Sequence, residues 1–367
     1  MTASSLSSTP PKVVRVIQWA TGTVGTHALR TIIEDPTLEL VGVRVYADGK
    51  AGCDAGNICG LPPTGVTTTT NVGDLISLDA DCVVYAAQGE MDPDGTVREI
   101  CALLASGKNV VSTALTGLIY PASMGAEVVQ RLETACHRGQ SSFHGTGIEP
   151  GWASEVLPLI ASGLFKQIDA IRVQELLDYT TYPSADMLFD IMGFGCPPEA
   201  AVPLADATLA SGPFRAPIML VAAGLGAAME DFVYTRTVAV ADRDFDISAG
   251  TVKKGTVSAQ RFGLSGIIDG RPAITVEHIT RVGSGQAPEW PVGRGWTVVI
   301  EGTPSLKLVA TIAINGEDEN DQGCLGTAMH ALHSIPHLCA AEPGIRTFLD
   351  LPMITGRGTM RSPNRPT

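Results

Sequence analysis

The sequence predicts an α/β protein: an N-terminal doubly wound parallel sheet, then a second α+β domain built on a mixed or antiparallel sheet. Three observations carry that prediction. From residue 12 to about 145, short apolar runs alternate with segments of helical periodicity, the pattern of strands buried on both faces. A small-residue turn, Ala20-Thr21-Gly22-Thr23-Val24-Gly25, joins the first apolar run to the first helical segment. After residue 150 the alternation gives way to long strand-like stretches.

In order, Val13–Trp19 is expected as a buried strand and Thr23–Glu34 as a helix with Ala28, Leu29, Ile32 and Ile33 on one side. Strands are expected at Leu38–Tyr46, Asp81–Ala87, Asn109–Thr113 and Ser141–Gly145, with helices at about 93–106 and 124–137. A helix opening at Pro150, with proline in its first turn, begins the second domain. A long strand, Ile168–Leu177, follows, and most of Tyr234–Ile314 reads as strand, with hairpin cues at Asp269-Gly270 and Asn315-Gly316. Helices are expected around Ala185–Ile191 and Arg215–Met229. Gly323–Ala340 is helical again and is placed back against the first domain. The expected divisions are therefore a flexible tail over 1–11, a parallel-sheet domain over 12–150, a second α+β domain over 151–322, and a returning helix and tail over 323–367.

Composition narrows the function. A formal charge of −13 and no basic block argue against nucleic acid as a partner. No apolar run is long enough to span a membrane, and none has signal-peptide flanks. The eight cysteines form no CxxC pair, so they read as buried thiols of a reducing cytoplasm. His330, His333 and His337 have metal-like spacing, but Ser334-Ile335-Pro336 is expected to break the helix between them, and no metal site is expected.

Strand, small-residue turn and helix form the dinucleotide-binding (Rossmann) arrangement, with Ala20 in the first glycine position. Gly22 lets backbone approach a pyrophosphate, and Gly25 lets the helix pack against the strand. NADP and NAD stay open at the tip of the second strand, where Tyr46-Ala47-Asp48-Gly49-Lys50 carries both charges and Arg44 is within reach.

With WATGTVG, GKAGCDAG, NVVST, HGTGIEPGW, MLFDIMGFGCPPE and PGIRTFLDLP in place, the chain resembles the dihydrodipicolinate reductase-like NAD(P)-dependent oxidoreductases. It is most similar to the actinobacterial branch related to native amine dehydrogenases and diaminopentanoate dehydrogenase, over residues 13–358. The resemblance implies a dinucleotide-binding domain over 12–150, a substrate-binding and dimerisation domain over 151–322, a homodimer, and hydride transfer between NAD(P)H and a C=N or C=O carbon. It puts Thr21, Gly22, Thr23, Val24 and Gly25 on the pyrophosphate; Tyr46 and Lys50, at the tip of the second strand, are the further cofactor contacts expected there. Ala86, Ala87 and Gln88 fall near the ribose; Ser112 and Thr113 end the next strand; Gly147, Pro150 and Gly151 lie beside the nicotinamide.

One departure bears on chemistry. Amine-forming members carry a glutamate shortly after the Ser-Thr, where this chain has Ala114-Leu115-Thr116. Glu149 stands where those relatives tend to have asparagine. The expectation is that Glu149 supplies the carboxylate from the opposite wall; the competing reading is a charge interaction at a helix start.

Tyr179 and His144 are the other catalytic candidates, a hydroxyl donor and a strand-end imidazole. For His144 the plain alternative is a satisfied structural histidine. Glu175 and Tyr179 share one strand face, while Glu277 and His278 are adjacent and face opposite ways, so one of that pair can reach a cleft. Thr116, Trp152, Tyr182, Met187 and Phe189 are the expected walls of a pocket for a small, mostly uncharged substrate. The sequence is thus read as an amine dehydrogenase-like enzyme acting on a ketone/amine pair with ammonia. A carbonyl or imine reductase of the same fold is the nearer alternative, and a non-catalytic NAD(P)-binding sensor the more distant one.

Overall fold

The computed structural model describes residues 13–360 other than residue 284, so the expected tail at 1–11 and the segment 361–367 lie outside the described residues. Seven parallel strands form the first sheet. They are β1 (Val14–Trp19), β2 (Leu38–Arg44), β3 (Thr68–Thr69), β4 (Cys82–Tyr85), β5 (Asn109–Ser112), β6 (Ser142–Gly145) and, far along the chain, β15 (Gly344–Ile345). Their spatial order is β15-β6-β5-β4-β1-β2-β3. The central strands are buried on both faces, which is why β1 and β4 read as continuous apolar runs.

One face is covered by α1 (Thr23–Glu34) and α8 (Glu319–Cys339), whose Ala328, Ala331, Leu332, Ile335 and Leu338 pack with Ala28 and Ile32 over Val16, Val84 and Val111. The short α2 (Ala55–Ile58) packs beside α1. The other face is covered by α3 (Val72–Ser77), α4 (Pro93–Ala105) and α5 (Ala126–Gly139), over a core that includes Ile17, Trp19, Val83, Ile100, Leu104, Leu132 and Phe143. α8 runs through Pro336 to Cys339 without the expected break. Pro336 lies in the last turn, where the lost backbone donor removes one bond beside an end that is already open.

The second sheet is mixed. Its strands are β7 (Gln167–Asp178), β8 (Asp231–Val240), β11 (Val257–Ile268), β12 (Arg271–Arg281), β13 (Gly295–Thr303) and β14 (Leu306–Ala310); β9 (Phe245–Ile247) and β10 (Gly250–Val252) pair separately. The order across the sheet is β14-β13-β7-β12-β11-β8. Asp269-Gly270 makes the two-residue turn between β11 and β12, both residues with positive φ (50° and 68°) as a primed turn requires. Asn315-Gly316 does not form a hairpin. The chain there turns directly into α8, whose first turn Asp318 caps by accepting from the Asp321 N–H. The helix expected at 215–229 is α7 (Ala207–Gly224), which begins earlier because Asp206 accepts from the Thr208 and Leu209 N–H groups. The segment after Pro150 is a π-helical turn, Trp152–Val156, running into α6 (Leu157–Ser162); Asp186–Ile191 is a second π-helical turn.

Candidate active site

The turn after β1 has the shape an anion requires. Ala20 takes a left-handed conformation (φ 73°), and its carbonyl accepts from the fully buried Gln18 Nε2 at 2.9 Å. A Cβ on Gly25 would lie 2.3 Å from that same carbonyl, so a glycine is required where α1 crosses the loop. At Gly22 an added Cβ would meet nothing within 4 Å; the space before the helix is open. No side chain caps α1, so Thr23, Val24 and Gly25 present first-turn N–H groups to that space. Lys50 brings its ammonium 2.9 Å from the Thr21 carbonyl, adding positive charge at the loop. These residues fit a dinucleotide pyrophosphate. Ala86–Gln88 follow β4, with the Ala86 N–H on the Trp19 carbonyl, and the Thr113 N–H on the Tyr85 carbonyl holds the end of β5 level with it.

A small cavity of about 70 Å³ opens where β5 and β6 end, lined by Ser112, Thr113, Thr116, Gly147, Glu149 and Pro150 among others. The turn that makes its far wall folds tightly. Gly151 has φ 137°, and a Cβ there would lie 2.4 Å from the Gly147 nitrogen. The Gly151 N–H donates to Glu155 Oε2 at 2.7 Å, and the Ser154 hydroxyl donates to Glu149 Oε1. The peptide bond between Glu149 and Pro150 is cis.

Strand register brings the rest of the site to this wall. Glu175 on β7 is level with His278 on β12 and with Trp296 on β13, three side chains in one row across three strands. Trp296 Nε1 donates to Glu175 Oε1 at 3.0 Å, and His278 Nδ1 lies 3.1 Å from Glu175 Oε2. His278 Nε2 faces Glu149 Oε1 at 3.6 Å, and Phe214 and Phe262 enclose the imidazole. Trp152 meets Trp296 edge to face. Glu149 and Glu175 are 4% and 5% exposed, and Glu149 Oε2, Glu155 Oε1 and His278 Nε2 are buried without a hydrogen-bond partner.

The electrostatics follow from three acids and one imidazole out of water. Burial opposes charge on His278, but Glu175 and Glu149 outweigh it and raise its pKa. Burial pushes Glu175 up to about 7, assisted by Glu149 and opposed by His278. Glu155 is raised well above the carboxylate range, first by burial and then by the Glu149 charge. All three directions agree: the pocket holds more acid than base and retains protons.

Among the expected residues, Glu149 and Trp152 join this cluster, and Tyr179 lies near it; burial first, then the charge of Glu175, raises its phenol, which packs against Tyr182. His278, not Glu277, is the member of its pair that faces the pocket. Glu277 turns the other way, accepting from Arg261 Nε and Gln174 Nε2 at 2.6 Å each. Met187 and Phe189 pack into the second sheet's core, Phe189 against Gly195 and Gly250. His144 is fully buried: its Nδ1 lies 2.7 Å from the Arg346 carbonyl, its Nε2 has no hydrogen-bond partner, it packs edge-on against Phe348, and burial lowers its pKa to about 4. Glu155 and Trp296 were not anticipated; an acid within the apolar run WASEVLPLIA was the available sign of the first.

Comparison with known proteins identifies the family. A family model for the 2,4-diaminopentanoate dehydrogenase C-terminal domain matches residues 155–362. An amine dehydrogenase of Streptomyces virginiae is 32% identical over 348 residues, 93% of this chain and 97% of that protein. The 2,4-diaminopentanoate dehydrogenase of Acetoanaerobium sticklandii is 25% identical over 248 residues, 67% of each chain. An amine dehydrogenase structure from Mycobacterium smegmatis superimposes with a TM-score of 0.75 at 19% identity, covering 94% of this chain and 97% of that one. The chain therefore belongs to the family of NAD(P)-dependent oxidoreductases that contains amine dehydrogenase and 2,4-diaminopentanoate dehydrogenase.

Proposed function

We propose that the protein is an amine dehydrogenase that interconverts a small primary amine with the corresponding ketone and ammonia, and that Glu149 supplies the carboxylate its relatives carry after the Ser-Thr. The observation that carries this reading is the placement of Glu149. Its buried, unpartnered Oε2 sits in the wall of the cavity at the ends of β5 and β6, where the resemblance puts the nicotinamide. A bound nicotinamide cofactor exchanges the hydride.

The chain's own residues do the remaining work. Glu149 holds the substrate nitrogen as a cation and takes or returns its proton, a task that needs a carboxylate within hydrogen-bond reach. In the oxidative direction the amine nitrogen gives a proton to Glu149, the carbon loses hydride, and water adds to the resulting C=N carbon before ammonia leaves. Glu155 lies beside it, its acidity weakened by burial and by the Glu149 charge. His278, fixed by Glu175 and Trp296, holds Glu149 from behind, and Trp152 with Trp296 keeps bulk water from the charge. No Lys or Arg side chain bonds to this cluster among the described residues, which supports a substrate without a carboxylate near the reacting carbon. The same proposal includes a homodimer in the cytoplasm, supported by the family resemblance and by eight cysteines outside any disulfide.

A second reading, reduction of a carbonyl without ammonia, is favoured by the absence of an acid at Ala114-Leu115-Thr116. The test is NADP- or NAD-dependent oxidation of simple primary amines with product analysis. Ketone and ammonia released in equal amounts support the amine reading. Oxidation of the matching secondary alcohols alone supports the second.

A further inference from the structure

We infer that His278 takes over the proton that Glu149 draws from the substrate nitrogen, returning Glu149 to its carboxylate form within the same turnover. The relay rests on the amine reading above and adds the path of the proton beyond Glu149.

Proton balance sets the requirement. Oxidation of a substrate ammonium runs in two stages, and both use Glu149. In the first, the nitrogen gives one proton to Glu149 and hydride passes from the carbon to the bound cofactor, leaving a C=N cation. In the second, water adds to that carbon and both of its protons pass to the nitrogen, so the products are a ketone and an ammonium ion. Glu149 can carry those two protons, one after the other, only if it starts the second stage as a carboxylate. The first proton must therefore leave it beforehand. Glu149 is 4% exposed, so bulk water is not at hand to take that proton.

One neighbour is placed to accept it. The Ser154 hydroxyl donates to Glu149 Oε1 and is no base. The same oxygen faces His278 Nε2 at 3.6 Å, and that nitrogen is buried without a hydrogen-bond partner. The gap is a few tenths of an ångström beyond hydrogen-bond reach, of the kind that closes when substrate binds. The other ring nitrogen decides the state of this one. His278 Nδ1 lies 3.1 Å from Glu175 Oε2, so in the neutral imidazole Nδ1 keeps the proton and Nε2 keeps the lone pair. Trp296 Nε1 holds Glu175 in turn, donating to Oε1 at 3.0 Å. A protonated His278 stands between two carboxylates.

The remaining neighbours do not compete for the proton. Phe214 of α7 and Phe262 of β11 pack their rings against the imidazole. Glu277, adjacent on β12, is bonded to Arg261 and Gln174 on the opposite face. Burial disfavours the imidazolium, but Glu175, then Glu149 and more weakly Glu277 outweigh it and raise its pKa. His278 acts through Glu149 alone and touches neither the substrate nor the cofactor.

The test follows cofactor reduction by stopped-flow absorbance and ketone release by quenched flow, with a simple primary amine at alkaline pH, where the resting imidazole is neutral. His278→Gln keeps a hydrogen-bonding amide near the Nε2 position but accepts no proton. It should reduce one equivalent of cofactor per site within about threefold of the native rate, then turn over about a hundredfold more slowly, with ketone release lagging behind reduction. His278→Ala should show the same burst, and added imidazole should restore its steady-state rate in proportion to the free base. Native-like turnover in His278→Gln overturns the relay. So does a first turnover slowed as much as the steady state, which is the result for a histidine that only supports the pocket. Both of those outcomes leave the amine reading in place. If the native protein oxidises secondary alcohols and releases no ketone from amines, the amine reading fails and the relay fails with it.

Discussion

Replacing Glu149 by glutamine changes one charge and almost no volume. The amide oxygen of the new side chain can still accept the Ser154 hydroxyl, so the turn before Trp152 keeps its bond. What is lost is the anion facing the cavity. Positioned acid–base groups contribute about 10²–10⁴ in rate, or roughly 3–5 kcal/mol of barrier, and kcat for amine oxidation should fall by that factor. Losing a charge-assisted bond to the substrate nitrogen should weaken amine binding by a further 1.5–3 kcal/mol, about tenfold to a hundredfold. Stability should change little, because the Glu149 charge opposes ionisation of Glu155 and Glu175 but favours the charged His278, so its removal has opposing effects. The assay is steady-state oxidation of a primary amine by Glu149→Gln, beside NADPH binding followed by fluorescence and a thermal melt. Native-like turnover with intact cofactor binding would refute the role given to Glu149. A loss of turnover accompanied by lost NADPH binding would refute the separation of substrate wall from cofactor site.

The relocation has a converse. Thr116 lines the same cavity from the opposite wall, so Thr116→Glu in the Glu149→Gln background should restore part of the lost rate, measured in the same assay. Gly25→Ala should abolish NADPH binding or folding, since its Cβ would sit 2.3 Å from the Ala20 carbonyl; titration and circular dichroism distinguish the two. His144 should make the protein acid-sensitive. Its folded pKa is about 4 against an ordinary 6.5, so the unfolded chain binds a proton that the native chain refuses. Stability is complete above pH 6.5 and is lost as pH falls toward 4, by about 3 kcal/mol from this group. Urea titrations should show a shallower acid loss in His144→Asn, with the remainder coming from His330, which is lowered in the same direction. Glu175 works oppositely: its folded pKa of about 7 exceeds the unfolded value, so its contribution is lost as pH rises from about 4.5 to 7, and Glu175→Gln should flatten that limb.

How far the sequence could lead depended on whether a feature was local. The phosphate loop was legible because every part of it lies within a dozen residues, and Ala20 in the first glycine position proved to be a left-handed alanine. Strand alternation correctly put Glu175 and Tyr179 on one face and set Glu277 against His278. It could not say which of the pair faces the site, because that depends on β7 lying between β12 and β13, a pairing that joins residues about a hundred positions apart. The row Trp296–Glu175–His278 is thus a product of topology. Glu155 was passed over for the opposite reason: it looks like a helix-surface acid, and its burial comes from the Gly151 turn folding over it. Proline misled in α8, where a position near the helix end made it harmless. Asn315-Gly316 carried a hairpin signal, yet a hairpin also needs a strand to follow, and the chain supplies the Asp318 cap of α8 instead.

The most direct test of the central claim is the rate of NADPH oxidation with a panel of small ketones at alkaline pH, each with and without ammonium. Turnover should require ammonium, saturate with it, and yield the primary amine. Equal rates with and without ammonium, yielding the alcohol, would contradict it.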